Sequence, residues 1–344
     1  MPGVTYERQL LFTPHGPAVI HILRAPKPGG LYGLRPVLSN GVLLGRETVT
    51  SMQRRVMSTA TVAGVNGDFF SWDEGLPTGM HMESGVLMAP PHPRRSSAGI
   101  TDDGRLLIDR VAMLGQWQGT GQRRPLSGLN QRPGTEGASL FTPAWGPATP
   151  AAQGTVEVTL QPFPPAAPNT PLLGTVTAFK PGGGTPIPPN GAVVVGRGTS
   201  AGRLAAESVV GEPMTVRLIL RPQWGAIVDA IGAGPVIVRD GQDVFRARED
   251  FTPSQIIPRD PRTGVGQLAD GKIVMVAVDG RQPGYSMGLT NFELAQTFVR
   301  LGAVSAMALD SGGSTTVAFE GRLLNHPSDP GGERPVGDRA TAPA

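Results

Sequence analysis

The sequence predicts an α/β protein of the α+β kind, with a mixed sheet, a C-terminal βαβ unit and a β-rich, Pro/Gly-rich insertion in the middle. Three observations carry this expectation. Glycine and proline number 48 and 35 among 344 residues, about twice their ordinary usage. They punctuate valine- and leucine-rich runs, which favours many strands and turns over a helical bundle. The last third of the chain holds an apolar run, a capped helical segment and a second apolar run in succession. Between about residues 115 and 211, by contrast, proline-rich joints separate short strand-like runs.

Residues 1–45 alternate polar and apolar positions between Pro/Gly turns, as in AVIHIL at Ala18–Leu23, and predict β-hairpins. Thr48–Met57 (TVTSMQRRVM) suits a short helix. Thr61–Val65 reads as a buried strand that ends at Asn66-Gly67-Asp68-Phe69-Phe70. Gly75, Gly79 and Gly85 then mark a loop and a hairpin. Strand candidates such as Thr155–Leu160 and Ala192–Val195 recur through the proline-rich middle, which is read as an all-β insertion or accessory subdomain at 115–211. A set of long loops on one domain is the alternative. The remainder forms a single domain over 1–340 whose core segments are about 46–114 and 212–340.

The C-terminal third is the best organised. Ile273–Val278 (IVMVAV) predicts a strand that delivers Asp279, and Val304–Leu309 predicts a second that delivers Asp310. Between them, Thr290 with Glu293 has the capping-box spacing, and Gly302 stands where a helix C-terminal glycine belongs. A βαβ unit of this size has parallel strands and a right-handed crossover. Parallel strands place Asp279 and Asp310 on the same sheet edge, the edge where open α/β sheets bind ligands.

Composition narrows the function. No apolar run approaches the roughly 20 residues needed to span a bilayer. The N-terminus lacks the pattern of a signal peptide, which leaves the compartment open. Net charge is +3 with only three lysines, and no Arg/Lys block carries interleaved aromatics, so nucleic-acid binding is not expected. The absence of cysteine excludes disulfides, thiolate metal sites and a cysteine nucleophile.

Several motifs have competing readings. Gly284-Tyr285-Ser286-Met287-Gly288 matches a G-x-S-x-G nucleophile elbow, with Asp310 and His326 following in the order Ser, Asp, His. Asp279–Pro283 intervenes between strand and serine, however, where an elbow serine needs a sharp turn directly off its strand. Asn66 and Asp68 lie at a strand end, in what alone would be an Asx-type turn. Arg259 and Arg262 are stiffened by Pro258 and Pro261 and suit phosphate recognition. Glu293 is a cap first and a candidate catalyst second. The five histidines show no metal-ligand spacing and are read as structural. No cofactor is indicated; a glycine loop rich in carboxylates could hold a divalent cation, but no calcium-loop pattern is present.

Taken in order, AGVNGDFF (Ala63–Phe70), PRTGVG (Pro261–Gly266), VDGRQPGYSMGLTNFELA (Val278–Ala295), LGAVSAMALDSGGSTT (Leu301–Thr316) and NHPSDPGGERPVGDRA (Asn325–Ala340) resemble the phosphodiester glycosidase family. The likeness is dense over the last eighty or so residues and weakest across the proline-rich middle. Two departures stand out: Ser311 replaces a third glycine of the family turn, and Asp68 stands where glycine is usual.

The resemblance implies hydrolysis of an anomeric carbon–phosphate bond, with a carbohydrate-phosphate or glycan as substrate and action outside the cytoplasm. It casts Asp310 and Asp279 as the principal acid–base and electrostatic pair, with Glu293 as a third candidate. Arg259, Arg262, Arg281 and Arg334 become phosphate candidates, while Asn66, Asp68, Ser286, Ser314 and Thr315 become groups that orient sugar or water. The alternatives are a glycosidase acting on a non-phosphorylated envelope glycan and a glycan-binding module with a site degenerate at Ser311.

Overall fold

The computed structural model describes residues 3–58, 60, 62–244 and 248–343, the last six by their backbone only. Eleven elements suffice to place the site. They are β1 (Thr5–Thr13), β2 (Gly16–Ala25), α1 (Val49–Val56), β3 (Val62–Asn66), α2 (Thr199–Glu207), α3 (Pro253–Ile256), β4 (Arg262–Leu268), β5 (Ile273–Val278), α4 (Asn291–Arg300), β6 (Ala303–Ala308) and β7 (Val317–Phe319). Thr61, the expected first residue of the strand now called β3, lies outside the described residues.

A seven-stranded sheet runs in the order β1-β2-β5-β4-β6, followed by Val236–Arg239 and Gln242–Asp243. One face, carrying Ile20, Ile22, Val274, Val276, Ala306 and Ala308, packs on Leu294, Ala295 and Phe298 of α4. The other, with Leu23, Val265, Met275, Ala277 and Met307, packs on Ala63 and Val65 of β3 and Val317 of β7. Strand β5 is therefore buried on both faces, which is why its sequence is a continuous apolar run rather than an alternation.

The α+β expectation holds, with one correction to the βαβ unit. Its strands β5 and β6 are not neighbours. β4 lies between them and pairs antiparallel with both. β5 and β6 consequently point the same way and bring Asp279 and Asp310 to one edge, but through a split unit. The interloper had no signature in the β5–α4–β6 stretch because it comes from the preceding segment. β4 fits under α4 because Gly264 and Gly266 leave no side chain on that face; a Cβ at Gly264 would stand 2.8 Å from Phe298 Cε2.

α4 begins at the expected capping box: Thr290 Oγ1 accepts the Glu293 N–H at 3.1 Å, and Glu293 accepts the Thr290 N–H at 2.9 Å. α1 is likewise capped by Thr48, which accepts from the Ser51 N–H. Its Val49 and Met52 pack with Phe70, Ala318 and Val336 over a five-stranded sheet of β3, β7, Arg35–Leu38, Arg322–Leu323 and Asp338–Pro343. The segments between Ala112 and Arg221 build a separate eight-stranded sheet around Trp117, Leu140, Val158 and Val216. That region is not purely β, since α2 contributes Leu204 to the same core. The fourth sheet, of five strands, includes Ser96–Thr101 and Ile227–Gly232. Among the described residues, no helix is long and apolar enough to cross a membrane.

Gly264→Ala should force Phe298 or the β4 backbone to move and lower stability by about 1–3 kcal/mol, the usual cost of overpacking a core. Urea denaturation of the variant against the parent protein measures it.

Candidate active site

The edge beyond β5 and β6 collects most of the polar burial in this half of the molecule. The turn after β6 is tied down by its backbone: Leu309 N–H donates to Thr263 O, Asp310 N–H to Gly67 O and Gly312 N–H to Pro261 O, each at 2.9–3.0 Å. Asn66, at the end of β3, is fully buried and saturates its side chain on three segments. Its Nδ2 donates to Asp310 O at 2.8 Å, while its Oδ1 accepts from Thr263 Oγ1 at 2.7 Å and the Thr316 N–H at 3.0 Å. The strand-end amide thus frames the carboxylate turn. The Asp310 carboxylate is half-buried and accepts the Ser311 N–H at 2.8 Å.

The turn itself lies flush under two guanidiniums. A Cβ at Gly312, where φ is +67°, would stand 3.0 Å from Arg281 Nη2. One at Gly313 would overlap the Asp329–Arg334 pair. Arg281 is oriented by Asp260, whose Oδ1 accepts from its Nε at 2.8 Å; that bond, set against partial burial, holds the guanidinium pKa above its ordinary value. Asp329 similarly accepts from Arg334 Nε at 2.7 Å.

Asp279 behaves differently from Asp310. It is 1% exposed, and its two oxygens serve four donors. Oδ1 accepts from Asn325 Nδ2 at 3.1 Å and the His326 N–H at 3.0 Å; Oδ2 lies 2.9 Å from His21 Nε2 and accepts from Tyr285 Oη at 3.0 Å. A carboxylate only accepts, so His21 Nε2 carries its proton and Nδ1 is left to accept from Tyr6 Oη at 2.8 Å. An Asp279–His21–Tyr6 chain therefore leads from a sealed carboxylate to a tyrosine that is 42% exposed. Burial is the largest influence on both the Tyr6 and the Tyr285 phenols and pushes each above its ordinary value, so both keep their protons near neutrality.

The remaining candidates sort by burial. Arg262 is 2% exposed and gives its guanidinium to the carbonyls of Leu289, Gln255 and Pro258 at 2.7–3.0 Å. Burial pulls its pKa down to about 10. This arginine holds the α3 loop and is not available to a phosphate. Ser286 is fully buried, donating to Asp279 O and accepting the Val19 N–H at 3.0 Å; its hydroxyl is spent on these two backbone groups. Asp68 is buried under Gly79, whose N–H it accepts at 2.7 Å. Ser314 and Thr315 are buried beneath the turn. Glu293 caps α4 and pairs with Arg259. Arg259 and Glu293 are about as exposed as Arg334; at the turn itself, Asp310, Arg281 and Arg334 are the candidates with surface.

His21 and His326, read with the other histidines as structural, both enter the Asp279 cluster; the His326 ring meets Tyr285 edge-on at 5.4 Å. The available signal was His21 itself, a polar residue at the centre of the apolar run Ala18–Leu23, which needs a buried partner. Among the described residues no group of three or more His, Asp or Glu side chains converges as a metal site.

The sequence profile described as phosphodiester glycosidase matches residues 169–340, half of the chain. The chain belongs to the phosphodiester glycosidase family. Curated relatives match locally. The SPbeta prophage-derived uncharacterized protein YomE of Bacillus subtilis (strain 168) is 36% identical over 105 residues, 30% of this chain and 16% of that protein. The Bos taurus N-acetylglucosamine-1-phosphodiester alpha-N-acetylglucosaminidase is 37% identical over 68 residues, 20% of this chain and 12% of that protein. The chain thus spans less than a fifth of either relative. A hypothetical protein from Synechocystis superposes with a TM-score of 0.83 at 26% identity, covering 99% of this chain and 62% of the other. In this family member, the glycosidase profile takes in both carboxylates and the glycine turn.

Two outcomes test the framework. Asn66→Ala should cost about 2–4 kcal/mol, because it leaves buried groups of the turn unsatisfied; thermal unfolding measures it. For Glu293, burial raises the carboxyl pKa, but hydrogen bonds from Arg259 and Thr290 outweigh it and hold the group below its ordinary 4.5. Its contribution is therefore present above pH 4.5 and is lost as pH falls through the lower folded value. The melting-temperature gap between the parent protein and Glu293→Gln should shrink steadily below pH 4.5.

Proposed function

We propose that this phosphodiester glycosidase family member hydrolyses sugar-1-phosphodiesters at the anomeric carbon, releasing the sugar and a phosphomonoester. The observation that carries the reading is the turn after β6, where the partly exposed Asp310 adjoins two glycines overlaid by Arg281 and by Arg334 with its partner Asp329. Two oriented guanidiniums supply charge-assisted donors for a phosphodiester, and the glycines let those guanidiniums lie close to the turn beside Asp310.

The chemistry distributes itself over the residues as follows. Water adds to the anomeric carbon as the carbon–oxygen bond to phosphate breaks, and the phosphomonoester departs with the electron pair. It leaves as a stable anion, so the demanding tasks are stabilising an oxocarbenium-like transition state and activating water. Asp310 is placed for both. Asp279, sealed from solvent, acts through what it holds: it fixes Tyr285, whose hydroxyl donates to it, and the His21–Tyr6 chain. Asn66, Ser314 and Thr315 keep the turn in place, and Asp279 is a positioning residue rather than a group that touches substrate.

Asp310→Asn should lower kcat on a sugar-1-phosphodiester by about 10²–10⁴-fold, the usual worth of an acid–base group, with the melting temperature little changed. A panel of sugar-1-phosphodiesters and aryl glycosides, assayed with product identification, tests the reaction class. Equal cleavage of aryl glycosides would point to an ordinary glycosidase. Glycan binding without turnover would point to a binding module. An active Asp310→Asn enzyme would sink the assignment.

A further inference from the structure

Trp72 is 60% exposed, whereas Trp117, Trp145 and Trp224 are at most 7% exposed. An exposed indole offers a ligand an apolar ring face together with a polar N–H edge. It is also not isolated. The Arg334 guanidinium carbon lies 4.9 Å from its ring centroid and that of Arg46 lies 5.8 Å away, while Phe70 supports it at 5.6 Å. Arg334 is the same residue that, with Asp329, overlies Gly313 of the Asp310 turn. The indole is therefore one guanidinium away from the candidate phosphate position. Arg46 differs from Arg334 in having no carboxylate within ion-pair distance among the described residues, so its charge is uncompensated.

We infer that Trp72 and Arg46 form a subsite for the part of the substrate beyond the phosphate, and that this part is a ring followed by a second anion, as in a chain of sugars joined by phosphodiesters. The inference rests on the reading of the Asp310 turn as a sugar-1-phosphodiester site. Its logic is the match of two sequences of groups. On the protein an indole has two guanidiniums, those of Arg334 and Arg46, at 4.9 and 5.8 Å from its ring centroid; on such a polymer a sugar ring is flanked by two phosphates. The open surface of the indole offers the apolar face on which a ring stacks, and its π-system and the neighbouring guanidinium bind independent features of one ligand. Arg46 meets the second phosphate, and this contact weakens with added salt because it is exposed.

The test uses the full chain and two probes: a sugar-1-phosphate esterified with methanol, which ends at the first phosphate, and a short sugar-phosphate oligomer carrying two. Quenching of tryptophan fluorescence that disappears in Trp72→Ala reads this subsite without requiring turnover. The oligomer should quench it, and Trp72→Ala or Arg46→Gln should reduce the preference in kcat/KM for oligomer over methyl ester by tenfold or more. Isothermal titration should find the oligomer at least tenfold weaker on Arg46→Gln, a surface change that spares the fold. Unchanged preference and affinity in both variants would overturn the subsite. If the oligomer quenches Trp72 but the parent protein cleaves neither probe, the subsite stands and the hydrolase reading falls.

Discussion

The buried carboxylate of Asp279 is the constraint around which this half of the molecule is arranged. Removing a charge from water costs several kcal/mol unless every lone pair finds a donor. Here the donors come from β2 (His21), the loop before α4 (Tyr285) and the segment Asn325–His326. None of them is close to Asp279 in the chain except Tyr285. Satisfying one carboxylate thus fixes the N-terminal hairpin and the C-terminal loops against the central strand β5. Asn325 extends the tie by donating also to Thr315 O at 3.0 Å, linking the Asp279 cluster to the turn that carries Asp310. The two acids at one sheet edge therefore divide their labour, one sealed and organising, the other half-open.

What could be read from sequence follows the range of the interaction. α1 and α4 were legible because their caps are local: Thr48 with Ser51, and Thr290 with Glu293, obey fixed spacings. The double burial of β5 was legible because a strand packed on both faces has no polar side to display. The insertion of β4 between β5 and β6 was not, since strand order depends on pairing across the whole domain. The role of His21 was hidden for the same reason; its partner is 258 residues away. Asp279 and Asp310 looked equivalent as acids at strand ends, and burial alone separates them.

The arginines teach the same lesson in another form. Arg259, Arg262, Arg281 and Arg334 are indistinguishable as residue types and all lie in or beside segments rich in proline or glycine. Arg262 spends every guanidinium edge on backbone carbonyls, and Arg259 pairs with the cap of α4. Arg281 and Arg334 instead lie against glycines of the Asp310 turn. The difference is set by what surrounds each side chain, and a guanidinium enclosed by carbonyls is a strut whatever its sequence context suggests.

The packing of that turn also decides where it can change over evolutionary time. At Gly312 the backbone has a positive φ, and at Gly313 the Asp329–Arg334 pair occupies the space of a side chain. Ser311, one position earlier, has an extended φ of −132° and is half-buried, so a side chain there meets neither restriction. Ser311, which the resemblance implied stands in place of a third glycine, falls where the backbone geometry is neutral to a side chain. Diversity at the mouth of this site can accumulate through position 311 without disturbing the scaffold, which makes it a natural address for tuning what neighbours the carboxylate.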